Sequence, residues 1–154
     1  MIKIRRISFF FALIALLAVT ATPVLNAQAR LNDRDVQALL KNLRDDAKAF
    51  RGPFDSSLRR SPIRGTGQEK DAKRLAEIYA RQTDDLWKHF KDKKRASGEV
   101  QAVVDMTGRL DRTVYSQNLG PATTNAWEKV RADVHLIAQA WGITEPYYQD
   151  SARQ

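Results

Sequence analysis

Four stretches of this chain repeat their apolar residues at steps of three and four, and no stretch alternates apolar with polar residues as a strand does. That period lays one apolar stripe along each of four helices and leaves the opposite faces to solvent. Stripes of this kind are buried against one another. With mostly short connections they predict an all-α domain, an antiparallel four-helix bundle with one longer first loop.

The punctuation between the stripes sets the expected boundaries. Asn32 is a good N-cap, and Leu31 and Val36 are spaced to close a hydrophobic staple. Val36, Leu40, Leu43, Ala47 and Phe50 then form the first stripe, and Gly52-Pro53 is expected to stop it. Residues 52–66 read as the longest connection, pinned by Phe54, Leu58 and Ile63. Thr66-Gly67-Gln68-Glu69 is a capping-box pattern that opens the second helix. Its expected inner face is Ala72, Leu75, Tyr79, Gln82, Leu86 and Phe90, and Ser97-Gly98 breaks the chain beyond it. Val100, Val103, Thr107, Leu110 and Val114 mark the third helix, which fades at Gln117-Asn118. Pro121 suits the first position of the fourth helix, where its missing N–H costs nothing. Trp127, Val130, Val134, Ile137 and Trp141 make the last stripe, and Gly142 and Pro146 end it.

The residues before the first stripe carry a different message. Lys3, Arg5 and Arg6 precede an almost wholly apolar run from Ile7 to Thr20, and Ala27-Gln28-Ala29 follows. A basic head, an apolar middle and a small-x-small end are the layout of a cleavable signal peptide. The small side chains of Ala27 and Ala29 suit the site that leader peptidase grips. The expected organisation is a signal peptide over residues 1–29, a helical domain over 30–144 and a tail over 145–154. The outer faces of the four helices are too polar for a membrane bundle, so no transmembrane segment is expected in the mature chain. The expected location is the periplasm or the extracellular space.

Composition narrows the function classes. The chain has no Cys, which rules out a disulfide framework, a thiolate metal site and covalent haem attachment. The formal charge of +8 falls to +5 once Lys3, Arg5 and Arg6 leave with the leader. A modest basic excess suits an anionic envelope component, and export makes nucleic acid an unexpected target.

No catalytic residue, cofactor or metal is expected. His89 and Asp85 are four apart on one helix, but neither His89 nor His135 has a Glu three residues before it, as di-metal bundles require. Met106 and His135 sit beside their stripes rather than on them, which argues against a haem held by axial ligands. The candidate surface for an anionic partner is the basic loop Arg59, Arg60 and Arg64 together with the basic end of the second helix, Lys91, Lys93, Lys94 and Arg95. Trp87, off its stripe, is expected to cover the long first loop. Gln82 and Thr107, polar residues on two stripes, are expected to share a cross-helix hydrogen bond or to line a ligand cavity.

Phe50-Arg51 closing a Leu-rich first helix, and the run Trp127-Glu128-Lys129-Val130-Arg131-Ala132-Asp133-Val134 in the last, resemble a group of small exported bacterial helical proteins with no assigned activity. The resemblance covers most of residues 32–142 and implies fold and export only. The expected function is therefore a non-enzymatic binding or structural role in the cell envelope, with an anionic component or another envelope protein as partner. The alternatives are a small-ligand or cofactor carrier using the bundle interior, and a chaperone-like stress protein. For the latter, Leu31-Asn32-Asp33-Arg34-Asp35 departs from the Leu-Thr-x-x-Gln pattern of periplasmic stress chaperones.

Overall fold

A computed structural model describes residues 32–93 and 96–145 of the chain. The expected leader with Ala27 and Ala29, the cations Lys94 and Arg95, and the tail from residue 146 lie outside the described residues. The fold is all-helical, with α1 (Asp33–Leu58), α2 (Gly67–Lys93), α3 (Ser97–Ser116) and α4 (Pro121–Trp141). Among the described residues no helix is long and apolar enough to cross a membrane.

α1 begins as its sequence predicts. The Asn32 side chain accepts from the backbone N–H groups of Arg34 and Asp35, both at 2.9 Å. Its end differs, because the helix runs on through Gly52-Pro53 to Leu58. Phe54 and Leu58 continue the stripe of Phe50 and are wholly buried. Burying such side chains contributes roughly 1.5–3 kcal/mol each, enough to offset the hydrogen bond that Pro53 cannot make. Gly52 eases the passage, since the residue before a proline resists the helical conformation mainly through its Cβ. The connection to α2 is consequently shorter than the sequence suggests, residues 59–66.

Thr66 caps α2 as expected, its Oγ1 accepting from the Glu69 N–H at 3.4 Å. The Glu69 carboxylate reaches one residue further back than a reciprocal box would, accepting from the Gly65 N–H at 2.6 Å. At the far end of α4, Gly142 adopts a left-handed conformation (φ 66°), and the Ile143 N–H donates to the Ala138 carbonyl at 2.9 Å. This helix stop turns Ile143 back onto the core.

Each helix packs on two neighbours, α1 on α2 and α4, α3 on α2 and α4. The contacts fix the directions. Lys48 meets Asp84 where Arg44 meets Trp87, Tyr79 meets Thr107 where His89 meets Glu99, and Ser57 meets Thr123 where Phe50 meets Trp127. A rising number on one helix faces a falling number on the next, so these pairs run antiparallel. The centre of the core is aromatic. Phe50 lies 4.8 Å from both Phe54 and Trp127, and Tyr79 lies 6.0 Å from Trp127, all measured between ring centroids.

On α2, Ala72, Tyr79, Leu86 and Phe90 are buried as expected, but the inner face is wider than expected. Ala76, Ala80 and Thr83 are buried, whereas Leu75 and Gln82 are only partly covered. Small side chains on this face let α2 approach its neighbours closely. Leu75 is displaced to the boundary with α3.

Candidate functional site

The two expected basic patches lie at opposite ends of the molecule. Arg59, Arg60 and Arg64 occupy the α1–α2 turn, whereas Lys91 and Lys93 sit in the last turn of α2. α2 is 27 residues long, about 40 Å at the helical rise, so the patches form two surfaces rather than one. Among the described residues, Arg59, Arg60 and Arg64 are exposed and none forms an ion pair. Arg60 reaches only the Ser57 hydroxyl, at 3.5 Å. Several cations along the body of the molecule are instead committed. Lys48 and Lys88 both bind the Asp84 carboxylate, at 2.9 and 2.5 Å, and pull it down to about 2.

Trp87 is not a cover for the first loop. The Arg44 guanidinium stacks over its ring at 4.2 Å and Lys91 lies 5.6 Å from it, near the opposite end of α2. Gln82 and Thr107 do not pair. Thr107 donates to the Val103 carbonyl at 2.8 Å, which leaves its oxygen to accept from the buried Tyr79 hydroxyl at 2.9 Å. That hydroxyl, desolvated by the core, is held well above its ordinary value.

The helix-four motif carries buried charge beside its apolar stripe. Arg131 is 5% exposed. Its Nε lies 3.1 Å from Asp111 Oδ1, and its Nη1 donates to Glu128 at 3.0 Å and to the Tyr115 hydroxyl at 3.1 Å. Trp127 donates its indole N–H to the same Asp111 oxygen at 2.9 Å, and Tyr115 donates to Glu128. Burial pushes the Asp111 carboxyl up while the Trp127 N–H and Arg131 draw it down. Tyr115 is pushed up to about 12 by burial and by its bond to Glu128. These five residues join α3 to α4.

Asp133, on the other flank of α4, has a buried Oδ2 without a hydrogen-bond partner. Burial, reinforced by the negative charge of Asp46 on α1, pushes its carboxyl up to about 6. His135 approaches Glu145 at 2.6 Å, and Glu145 is buried beside the end of α4. His89 is exposed and faces Glu99 of α3 at 3.2 Å. Among the described residues no group of three or more His, Cys, Asp or Glu is placed to hold a metal ion.

Two surface grooves lie among the described residues. One, of about 320 Å³ between α1 and α2, is lined by Lys48, Arg51, Ala80, Arg81, Asp84, Asp85 and Lys88, with Lys48 and Lys88 both held by Asp84. The other, of about 420 Å³, lies between α2 and α3 at the loop end. Ile63, Ala72 and Leu75 give it an apolar floor, and Arg109 and Arg112 line it from α3. The sequence reading missed these two arginines, which flank the buried Leu110. Their spacing of three, on a helix face next to the stripe, is the one signal that points to them. No family model, curated protein or solved structure matches the chain.

Proposed function

We propose that this chain is an exported, non-enzymatic binding protein of the cell envelope, built as an antiparallel four-helix bundle, whose partner is anionic. The observation that carries the reading is the loop end. There Arg59, Arg60 and Arg64 stand exposed and unpaired among the described residues, with Arg109 and Arg112 on the same end of the molecule. Unpaired exposed cations on a rigid end attract an anionic surface without first breaking internal salt bridges. Lys91 and Lys93, in the last turn of α2, offer a second attachment point, and Lys94 and Arg95 follow them in the sequence. The apolar run ahead of Ala27 and Ala29 supports export, to the periplasm or beyond.

An interior carrier is the weaker reading. The expected cavity residues Gln82 and Thr107 do not converge, and the Thr107 hydroxyl is satisfied by Tyr79 and Val103.

Co-sedimentation with vesicles of phosphatidylglycerol and of phosphatidylcholine tests the proposal. Binding is expected to the anionic vesicles only, to weaken steeply with salt, and to drop in Arg59→Gln/Arg60→Gln/Arg64→Gln. The Debye length is about 10 Å near 0.1 M salt, so binding unchanged from low to high salt counts against an electrostatic partner.

A further inference from the structure

We propose that the groove between α2 and α3 is a binding site for a small amphipathic anion, a carboxylate or phosphate headgroup carried on a short apolar chain. This rests on the reading of an anionic partner and names its chemical class. The floor is apolar, formed by Ile63 from the loop and by Ala72 and Leu75 from α2. Ile63 and Leu75 are only partly covered and pack against the main core from outside. A hydrocarbon chain laid there removes apolar surface from water at a place where the fold itself does not.

The α3 wall supplies the charge. Arg109 and Arg112 are exposed, line the groove together, and form no ion pair among the described residues. A guanidinium presents parallel N–H donors that match the two oxygens of a carboxylate or phosphate. Gln68, Thr113, Ser116 and Gln117 add neutral polar groups to the lining, and Asp71 is its single acid. One acid against two arginines leaves a net positive site, which disfavours a cationic or zwitterionic guest.

The groove between α1 and α2 is the internal comparison. It is also rich in cations, but Lys48 and Lys88 are already held by Asp84. An anion entering it must compete with that carboxylate for the two lysines. The volume of about 420 Å³ in the α2–α3 groove falls in the range of small-molecule sites, roughly 300–1,000 Å³.

The test is an NMR titration of the ¹⁵N-labelled purified protein with decanoate, decyl phosphate, decanol and inorganic phosphate. Saturable shifts are expected with decanoate or decyl phosphate, at the amides of Ile63, Ala72, Leu75, Arg109 and Thr113. Arg109→Gln/Arg112→Gln should weaken that binding at least tenfold, and Leu75→Gln should weaken it while leaving the weak response to inorganic phosphate unchanged. Preference for one anion over the other tells a fatty carboxylate from a phosphate ester. Decanol binding as tightly as the anions overturns the proposal, as does the absence of saturable shifts in the groove. The two readings fail separately. Vesicle binding lost in the Arg59, Arg60 and Arg64 triple variant but intact in Arg109→Gln/Arg112→Gln, with no amphiphile in the groove, removes this site and keeps the envelope reading.

Discussion

The indole N–H of Trp127 donates to Oδ1 of Asp111 at 2.9 Å, and Nε of Arg131 lies 3.1 Å from that same oxygen. One carboxylate therefore serves both a wholly buried Trp and a nearly buried cation. Removing it takes the acceptor from the Trp127 N–H and one of two carboxylates from Arg131, which keeps Glu128 at 3.0 Å. Asp111→Ala is expected to destabilise the fold by about 1–3 kcal/mol, the usual cost of leaving a buried donor without its partner. Asp111→Leu/Arg131→Leu should lose much less than the two single variants added together, because neither charge is then left alone. Urea unfolding of the four proteins measures the coupling, and additivity would mean that the pair is not energetically linked.

Asp133 gives the fold a pH dependence of known sign. Its folded value of about 6 lies above the ordinary range of an aspartate, so the protonated form is favoured in the fold. The stability this confers is complete below about pH 4 and is lost as pH rises through about 6. Asp133→Asn mimics the protonated form. It should match the wild type below pH 4 and exceed it by about 1–2 kcal/mol above pH 7, a figure set below the full conversion of the shift because the group is partly exposed. Thermal melts from pH 3.5 to 8 check this. A stability difference that does not change across that span would refute it.

Much of this fold is legible in the sequence, and the exceptions share a cause. The stripes of α1, α3 and α4 hold residue by residue from Val36 to Phe50, from Val100 to Val114 and from Trp127 to Ile137. Those stripes are made of large side chains at regular steps. On α2 the buried residues include Ala76, Ala80 and Thr83, whereas steps of three and four from Ala72 lead through Leu75 and Tyr79 to Gln82. Arg131 and Asp111 lie off the expected stripes; a charge is buried only when a partner meets it, and that partner sits on another helix. Arg109 and Arg112 become notable only when the turn carrying Ile63 is seen beside them. Local pattern fixes which face is apolar, whereas pairing between helices decides which polar residues matter.

Gly142 is the helix stop that turns Ile143 onto the core, and its φ of 66° is open to glycine far more readily than to other residues. An added Cβ meets nothing within 4 Å, so the cost of Gly142→Ala is backbone strain rather than a clash. The expected loss is about 1 kcal/mol. Gly142→Asn should recover part of it, since Asn tolerates the left-handed region better than Ala. Equal stability of all three proteins in urea unfolding would show that this turn relaxes freely.

The passage of α1 through Gly52-Pro53 makes the last prediction a coupled one. Pro53 lacks the N–H that the carbonyl one helical turn earlier would accept, yet Phe54 and Leu58 beyond it are wholly buried. Pro53→Ala restores that donor and should stabilise the fold by about 1–3 kcal/mol. Gly52→Ala alone should gain little or lose, although space around Gly52 is open. The new Cβ would stand before a proline in a helical conformation, where the ring opposes it. In the Pro53→Ala background the same change should yield the ordinary helical gain of up to about 1 kcal/mol. A double-mutant cycle in urea isolates the difference. Equal effects of Gly52→Ala in both backgrounds would show that the glycine is not there to accommodate the proline.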